Sequence, residues 1–128
     1  MPGGWVEDKR SAFEVGGRTD EEQAWFDHVH GLLNLRRQHP AAFQGGMEHF
    51  FPKRGVYGFV RTDDNVRVVT LVNAASEARP LPWDNLEAWL DGAASVEELQ
   101  GDGSLKTVDV RSIEQLESWA HKVWVVRR

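Results

Sequence analysis

The chain has 128 residues, a net charge of -5 and no cysteine. A chain of this length forms one domain with a real core, in which roughly two thirds of the unfolded surface is buried. The basic residues are scattered, which excludes the basic face of a nucleic-acid-binding protein, and the lack of Cys excludes disulfides, Cys-ligated zinc and thiol catalysis. No apolar run approaches the ~20 residues of a membrane helix, so neither a nucleic acid nor a membrane is an expected partner.

Residues 1–18 are rich in glycine and show no sustained apolar period. Gly3-Gly4 and Gly16-Gly17 punctuate the segment, which predicts an irregular loop. Its first residues lack a basic stretch followed by an apolar one, so we expect no signal peptide on this sequence. The composition does not predict a cellular compartment.

The pattern over residues 19–39 predicts a helix. Thr19 and Glu22 have the spacing of a capping box, and Pro40 prevents continuation beyond His39. Large apolar side chains recur at helical spacing and form a stripe that we expect to be an interface: Trp25, Phe26, Val29, Leu32 and Leu33.

From Gly45 onward the pattern is that of β-strands. A short apolar run over 47–51 ends at Pro52, and two further runs over 56–60 and 66–72 flank a polar turn, which indicates a hairpin. The run over 66–72 is apolar on both faces, as in a central strand.

Two later segments are ambiguous. Residues 83–90 have helical spacing inside a region, 83–100, that also contains strand-like residues, and residues 113–119 fit either a helix or an irregular loop. A strand over 105–110 and a final strand over 122–127 are predicted. The fold class is therefore mainly β with one long N-terminal α-helix, and the β part is a small antiparallel β-sandwich of about six to eight strands.

The sequence contains no recognisable catalytic, metal or cofactor site. Glycoside hydrolysis needs two carboxyl groups at a set separation, and none of the 20 acidic residues lies in a context that would hold such a pair. His28 and His30 point about 200° apart on a helix and cannot chelate one ion, whereas His49 and His121 are explained as strand residues near the surface. No catalytic residue, metal ligand or cofactor is predicted.

Several ordered motifs resemble the C-terminal part of glycoside hydrolase family 13, the α-amylase superfamily, in its neopullulanase and cyclomaltodextrinase-like branch. Pro2-Gly3-Gly4-Trp5 is similar to the sequence after the eighth barrel strand of that family. Gly17-Arg18-Thr19 and Leu32-Leu33-Asn34-Leu35-Arg36 are similar to the start and end of its last barrel helix. Phe51-Pro52, Gly55-Val56-Tyr57 and the run from Val69 to Asn73 resemble the first strands of its C-terminal domain.

This resemblance implies three regions: residues 1–18 as the last barrel loop, 19–40 as the last barrel helix, and 41–128 as a C-terminal β-sandwich domain. The catalytic Asp, Glu and Asp of that family lie on barrel strands that would precede this sequence, so none corresponds to a residue here. The implied function is a non-catalytic accessory domain of an α-glucan hydrolase acting on starch, maltodextrin or cyclodextrin.

Two alternatives concern partners and ligands. The helix stripe would be covered by the missing barrel. Without the barrel, the helix would pack on the chain's own sandwich, pair with a second copy or be disordered, and we expect one of the first two. The chain could instead be a free-standing carbohydrate-binding or protein-interaction module. Six Trp are present, and Trp5, Trp83 and Trp89 are candidates for stacking on an α-glucan, although packing in a core or interface is the commoner role of a Trp.

Overall fold

In the computed structural model, which describes residues 2–128, a helical N-terminal part is followed by an antiparallel β part. The helices are α1 (Asp20–Gln38), α2 (Pro40–Gln44) and α3 (Trp83–Leu90), with a 3-10 turn at Val110–Ser112. The strands are β1 (Gly46–Lys53), β2 (Val56–Thr62), β3 (Val66–Asn73), β4 (Arg79–Pro80), β5 (Ser95–Leu99), β6 (Leu105–Thr107), β7 (Gln115–Leu116) and β8 (His121–Arg127). Among the described helices, none is long and apolar enough to cross a membrane.

The capping box predicted at the start of α1 is present. Thr19 Oγ1 accepts a hydrogen bond from the Glu22 backbone N–H at 3.3 Å, and the Glu22 carboxylate accepts from the Thr19 N–H at 2.9 Å. These bonds satisfy two of the backbone donors that every helix leaves open at its N-terminus. The helix ends at Gln38, and Pro40 begins α2, where its missing N–H costs nothing. The predicted helix is thus confirmed to within one residue at each end.

The main sheet has six antiparallel strands in the order β1-β2-β3-β8-β5-β6, and β4 pairs with β7 in a separate two-stranded sheet. These eight strands confirm the predicted fold class of a small, mainly β domain with one long N-terminal helix. β3 lies inside the sheet between β2 and β8, as the apolar residues on both of its faces predicted. The predicted hairpin is formed by β2 and β3, whose residues pair in register from Val56↔Asn73 to Thr62↔Arg67.

The prediction that Pro52 ends the first strand was wrong. β1 continues to Lys53, with a register shift between Phe50 and Lys53. A proline is tolerated there because β1 is an edge strand, and a bulge removes the need for a ladder hydrogen bond at that residue.

The six-stranded sheet has a hydrophobic cluster on each face. The larger cluster lies between the sheet and α3, and its buried members include Val69 and Leu71 of β3 and Trp124 and Val126 of β8. The smaller cluster lies under the N-terminal helices, where Leu35 and Ala42 pack on the alternate residues of the same strands. The two-residue period of β3 and β8 therefore divides their side chains between two cores.

The ambiguous segments have definite structures. Residues 83–90 form α3, as the helical spacing favoured, and the residues after the turn form β5. Residues 113–119 take the irregular alternative, with only Gln115–Leu116 in a strand. The strand predicted over 105–110 stops at Thr107, since the Asp109 side chain accepts from the Arg111 N–H and caps a 3-10 turn instead.

Candidate functional site

The apolar stripe of α1 is divided between two surroundings. Leu32 is half-buried and packs against the smaller cluster, next to the buried Leu35. The other four predicted interface residues remain exposed, with Trp25 at 61% and Leu33 at 60% of their full accessibility. We call these four residues, Trp25, Phe26, Val29 and Leu33, the outer helix face.

The face of α1 that packs against the β part includes Gly31, which does not belong to the predicted apolar stripe. Gly31 is buried against Gly103 in the turn that precedes β6, and a Cβ added to Gly31 would lie 2.5 Å from the Gly103 Cα. This contact brings the two backbones together, so the helix docks through Gly31, Leu32 and Leu35. Its largest side chains point elsewhere.

The outer helix face forms a shallow apolar depression. It has a volume of about 440 Å³ and is lined by the four residues of that face together with His30. The Arg18 guanidinium lies 3.7 Å from the centroid of the Phe26 ring, and the His30 ring stacks on Phe26 with the centroids 5.7 Å apart. The ring of Phe26 is thus held in place, which pre-organises part of this surface.

Residues 2–18 have local order but bury few large side chains. The Asp8 carboxylate accepts hydrogen bonds from the N–H groups of Gly3, Gly4 and Trp5 at 2.6–3.2 Å, and these bonds, that of Gly3 foremost, lower the pKa of Asp8. Trp5 itself is 82% exposed. Its neighbours Val6, Phe13 and Val15 are also exposed, so most of the large exposed apolar side chains belong to the first 33 residues.

An ion pair joins this segment to α1. The Arg10 guanidinium makes two hydrogen bonds to the Glu22 carboxylate, which also belongs to the capping box. The Arg10 bonds, followed by that from the Thr19 N–H, lower the pKa of Glu22 to about 2. The N-terminal segment is therefore tethered at the helix start, where negative charge is also favoured by the helix dipole.

A second candidate surface surrounds Trp83, the first residue of α3. Trp83 is half-buried, and the Arg111 guanidinium lies 5.1 Å from the centroid of its ring. Beside it is a cavity of about 270 Å³ lined by Lys53, Arg54, Pro80, Leu81, Pro82, Trp83 and Asp84. An aromatic ring next to hydrogen-bond donors and an acceptor has the composition of a sugar-binding surface.

Residues 47–118, more than half of the chain, match the family model described as the Cyclo-malto-dextrinase C-terminal domain. This chain belongs to that family. The family assignment confirms the resemblance on which the sequence analysis relied. The matched region begins in β1 and includes α3 with the Trp83 cavity, whereas α1, the N-terminal segment and β8 lie outside it.

The third sugar-stacking candidate lies in the core of this cyclomaltodextrinase C-terminal domain. Trp89 is only 8% exposed, and its ring stacks on that of Phe50 with the centroids 5.5 Å apart. Its ring has no free face for a sugar, so the structure removes Trp89 from the candidate site. Trp83 and Trp89 share the same helical period, and the sequence did not distinguish the outer residue from the inner one.

Three features of the domain were missed by sequence reasoning. Phe51 and Trp119 are largely exposed aromatic residues, and Trp119 has a positive φ of 54°. The third is a contact between His28 of α1 and His121 of β8, whose Nε2 atoms lie 2.9 Å apart. A pairing across 93 residues depends on topology, which periodicity does not reveal; the only signal was that His28 precedes Gly31 on the docked side of the helix.

Proposed function

We propose that this chain is a non-catalytic accessory domain of an α-glucan hydrolase, where it covers and stabilises a flank of the catalytic barrel. Membership of the cyclomaltodextrinase C-terminal domain family supports the class of parent enzyme. The observation that carries the proposal is the outer helix face, which exposes four large apolar side chains on one ordered helix.

The energetics of this surface favour a partner. Full burial of a Trp, Phe, Val or Leu side chain contributes about 1.5–3 kcal/mol. Covering the exposed parts of four such residues is therefore worth several kcal/mol, a large share of the roughly 5–15 kcal/mol that stabilises a domain. The resemblance of residues 19–40 to a last barrel helix supports the barrel as the occupant, and a second copy of the chain is the competing one.

A reconstitution experiment tests the proposal. The barrel of a cyclomaltodextrinase is expressed without its own C-terminal domain and mixed with this chain. We expect a complex that slows thermal inactivation of the barrel. The double variant Trp25→Ser/Leu33→Ser should lose the effect, whereas Arg37→Ser, an exposed change on the same helix, should keep it.

Three results would contradict this proposal. If the control loses the effect as completely as the double variant, the outer helix face is not the contact. If light scattering shows that the isolated chain is a stable dimer, and that the double variant is a monomer, a second copy is the occupant. Release of reducing ends from maltodextrin or cyclodextrin by the purified chain would contradict the non-catalytic role.

The Trp83 cavity favours a second candidate function, a carbohydrate-binding module. A glucose ring would stack on the indole of Trp83, and the side chains of Lys53, Arg54 and Asp84 would supply hydrogen bonds. In a titration with maltooligosaccharides, Trp fluorescence should change at millimolar sugar. The change should disappear in Trp83→Ala and persist in Trp119→Ala, which removes an exposed Trp outside the cavity. An unaltered spectrum of the unsubstituted chain would rule out this function.

A further inference from the structure

The contact between His28 and His121 joins the N-terminal helix to the last strand of the sheet. The two Nε2 atoms are 2.9 Å apart, the ring centroids are 4.8 Å apart, and the ring planes meet at 61°. One ring can donate a proton to the other only if the acceptor nitrogen is unprotonated. At least one imidazole of the pair is therefore neutral, with a lone pair directed into the gap.

Neutral imidazole nitrogen is the commonest protein ligand for transition metals. An ion can bind both Nε2 atoms once the proton between them moves to Nδ1 of the donor ring, which leaves two neutral imidazoles, each with a lone pair at Nε2.

The distance between the nitrogens also suits a shared ion. An ion held about 2.0–2.1 Å from two imidazole nitrogens sets them ~2.9 Å apart at a right angle and ~3.4 Å apart in a tetrahedron. The observed 2.9 Å corresponds to adjacent positions of a square-planar ion, as Cu²⁺ and Ni²⁺ prefer. A tetrahedral Zn²⁺ needs an opening of about half an ångström.

The pair is accessible from solvent. It borders a surface depression of about 370 Å³ whose lining includes Glu21, Trp25 and Gly101. Glu21 adds negative charge to this depression. His121 also borders a groove between α1 and the sheet, whose lining includes Arg36 and Arg61. Among residues 2–128 no set of three or more His, Asp or Glu side chains is assembled for a metal, so the remaining positions are left to water and the affinity should be modest.

We propose that His28 and His121 form a two-imidazole site for a divalent transition-metal ion, with Cu²⁺ and Ni²⁺ favoured over Zn²⁺, and that the ion clamps α1 onto β8. α1 docks through few residues, chiefly Gly31, Leu32 and Leu35. A metal bound by His28, one turn before Gly31, would hold the helix more tightly on the sheet and so fix the position of the outer helix face.

Calorimetric titration of the tag-free full chain, first stripped with chelator, tests the site with CuCl₂, NiCl₂ and ZnCl₂. We expect one ion per chain with micromolar affinity, tightest for Cu²⁺, and a rise of several degrees in the thermal midpoint, since a ligand that binds only the folded state stabilises it. Electron paramagnetic resonance of the Cu²⁺ complex should show two nitrogen ligands.

Matched variants locate the site. His28→Gln and His121→Gln should each weaken binding at least tenfold and reduce the nitrogen count to one, and circular dichroism confirms that each variant is folded. His30→Gln, two residues away on the same helix and hydrogen-bonded to Asn34, should bind as the unsubstituted chain does. Absence of binding below millimolar metal overturns the proposal, as does binding that survives both substitutions or that is lost in His30→Gln.

Discussion

At the scale of single residues, Asn73 is the most completely engaged polar side chain of the domain. It is buried at the end of β3, and its Nδ2 lies 2.8–3.1 Å from the backbone carbonyls of Glu77, Leu116 and Glu117. Its Oδ1 accepts from the Ala75 N–H at 2.9 Å. The Asn73 amide thus forms hydrogen bonds with backbone groups of two loops, one after β3 and one around β7, which explains why β3 ends in a polar residue.

Asn73→Asp keeps the shape of this side chain and removes its donor. A carboxylate would face three backbone carbonyls without a hydrogen to donate, and only the Glu117 carbonyl is known to keep another donor, the Ala120 N–H. A buried polar group that loses its partner costs about 1–3 kcal/mol. We expect the free energy of unfolding to fall by about 3 kcal/mol or more in urea titrations. Asn65→Asp, the same change at an exposed turn residue, should stay within ~0.5 kcal/mol; equal losses in the two variants would contradict this role of Asn73.

His39 gives the stability of the domain a pH dependence. Its pKa is lowered from the ordinary 6.5, first by burial and then by the charge of Arg127, against the opposing charges of Asp63 and Glu97. Its Nε2 is buried without a hydrogen-bond partner among residues 2–128. The unfolded chain therefore takes up a proton at this ring more readily than the folded chain does.

Protonation of His39 therefore destabilises the folded chain. Above pH 6.5 the ring is neutral in both states and does not affect stability; below that pH the unfolded chain binds the proton first, and stability declines. We expect the thermal midpoint of the metal-free chain to drop between pH 7.5 and pH 5.5, and the drop to be smaller in His39→Gln. A steeper drop in the variant would show that the ring is stabilised as the cation.

At the scale of elements, the docking of α1 depends on a contact between two glycines. Alanine at position 31 would improve helix propensity by about 1 kcal/mol. Its Cβ, however, would lie 2.5 Å from the Gly103 Cα. The contacting atoms belong to the Gly103 backbone, which cannot rotate away as a side chain can. At residue 31, the clash of a Cβ with the Gly103 backbone therefore opposes the gain in helix propensity.

We expect the clash to outweigh the gain, so that Gly31→Ala lowers the free energy of unfolding by about 1–3 kcal/mol. Amide hydrogen exchange along α1 should also become faster. Gly101→Ala is the matched control, since a Cβ there meets nothing within 4 Å. An increase in stability in Gly31→Ala would mean that the helix does not approach the turn this closely.

The same helix shows what a sequence can and cannot predict. Its ends were predicted to within one residue because a capping box and a proline act locally, through bonds that span three or four residues. Its docked face was predicted only in part. Leu32 of the predicted stripe packs on the sheet, but the other four residues of the stripe face outward, and the contact also uses Gly31 and Leu35. The half-buried position of Trp83, the buried position of Trp89 and the contact between His28 and His121 likewise depend on which elements the topology brings together.

At the scale of the whole molecule, the β part contains nearly all of the core. Every buried member of the larger cluster lies between residues 50 and 126, whereas residues 2–38 contribute only Leu35 to the buried part of the smaller cluster. The proposed boundary near residue 41 can therefore be tested by truncation.

A chain that begins at residue 39 should fold cooperatively and keep the near-ultraviolet circular dichroism of its buried Trp residues. Its stability should fall by about 2–5 kcal/mol, the typical effect of removing one buried Leu. It should also lose its effect on the thermal inactivation of the barrel, since the outer helix face is gone. Loss of the near-ultraviolet signal would show instead that α1 is an integral part of the fold.

The position of β8 has a consequence for how the protein is made. The last strand in the sequence lies between β3 and β5, which pair with it and not with each other. A ribosome adds about 5–20 residues per second from the N-terminus, so β1 to β3 emerge well before the strand that joins them to β5 and β6. Until β8 has been synthesised, β3 has an open edge of the kind that recruits other strands, and protection of the nascent chain must last until that strand has emerged.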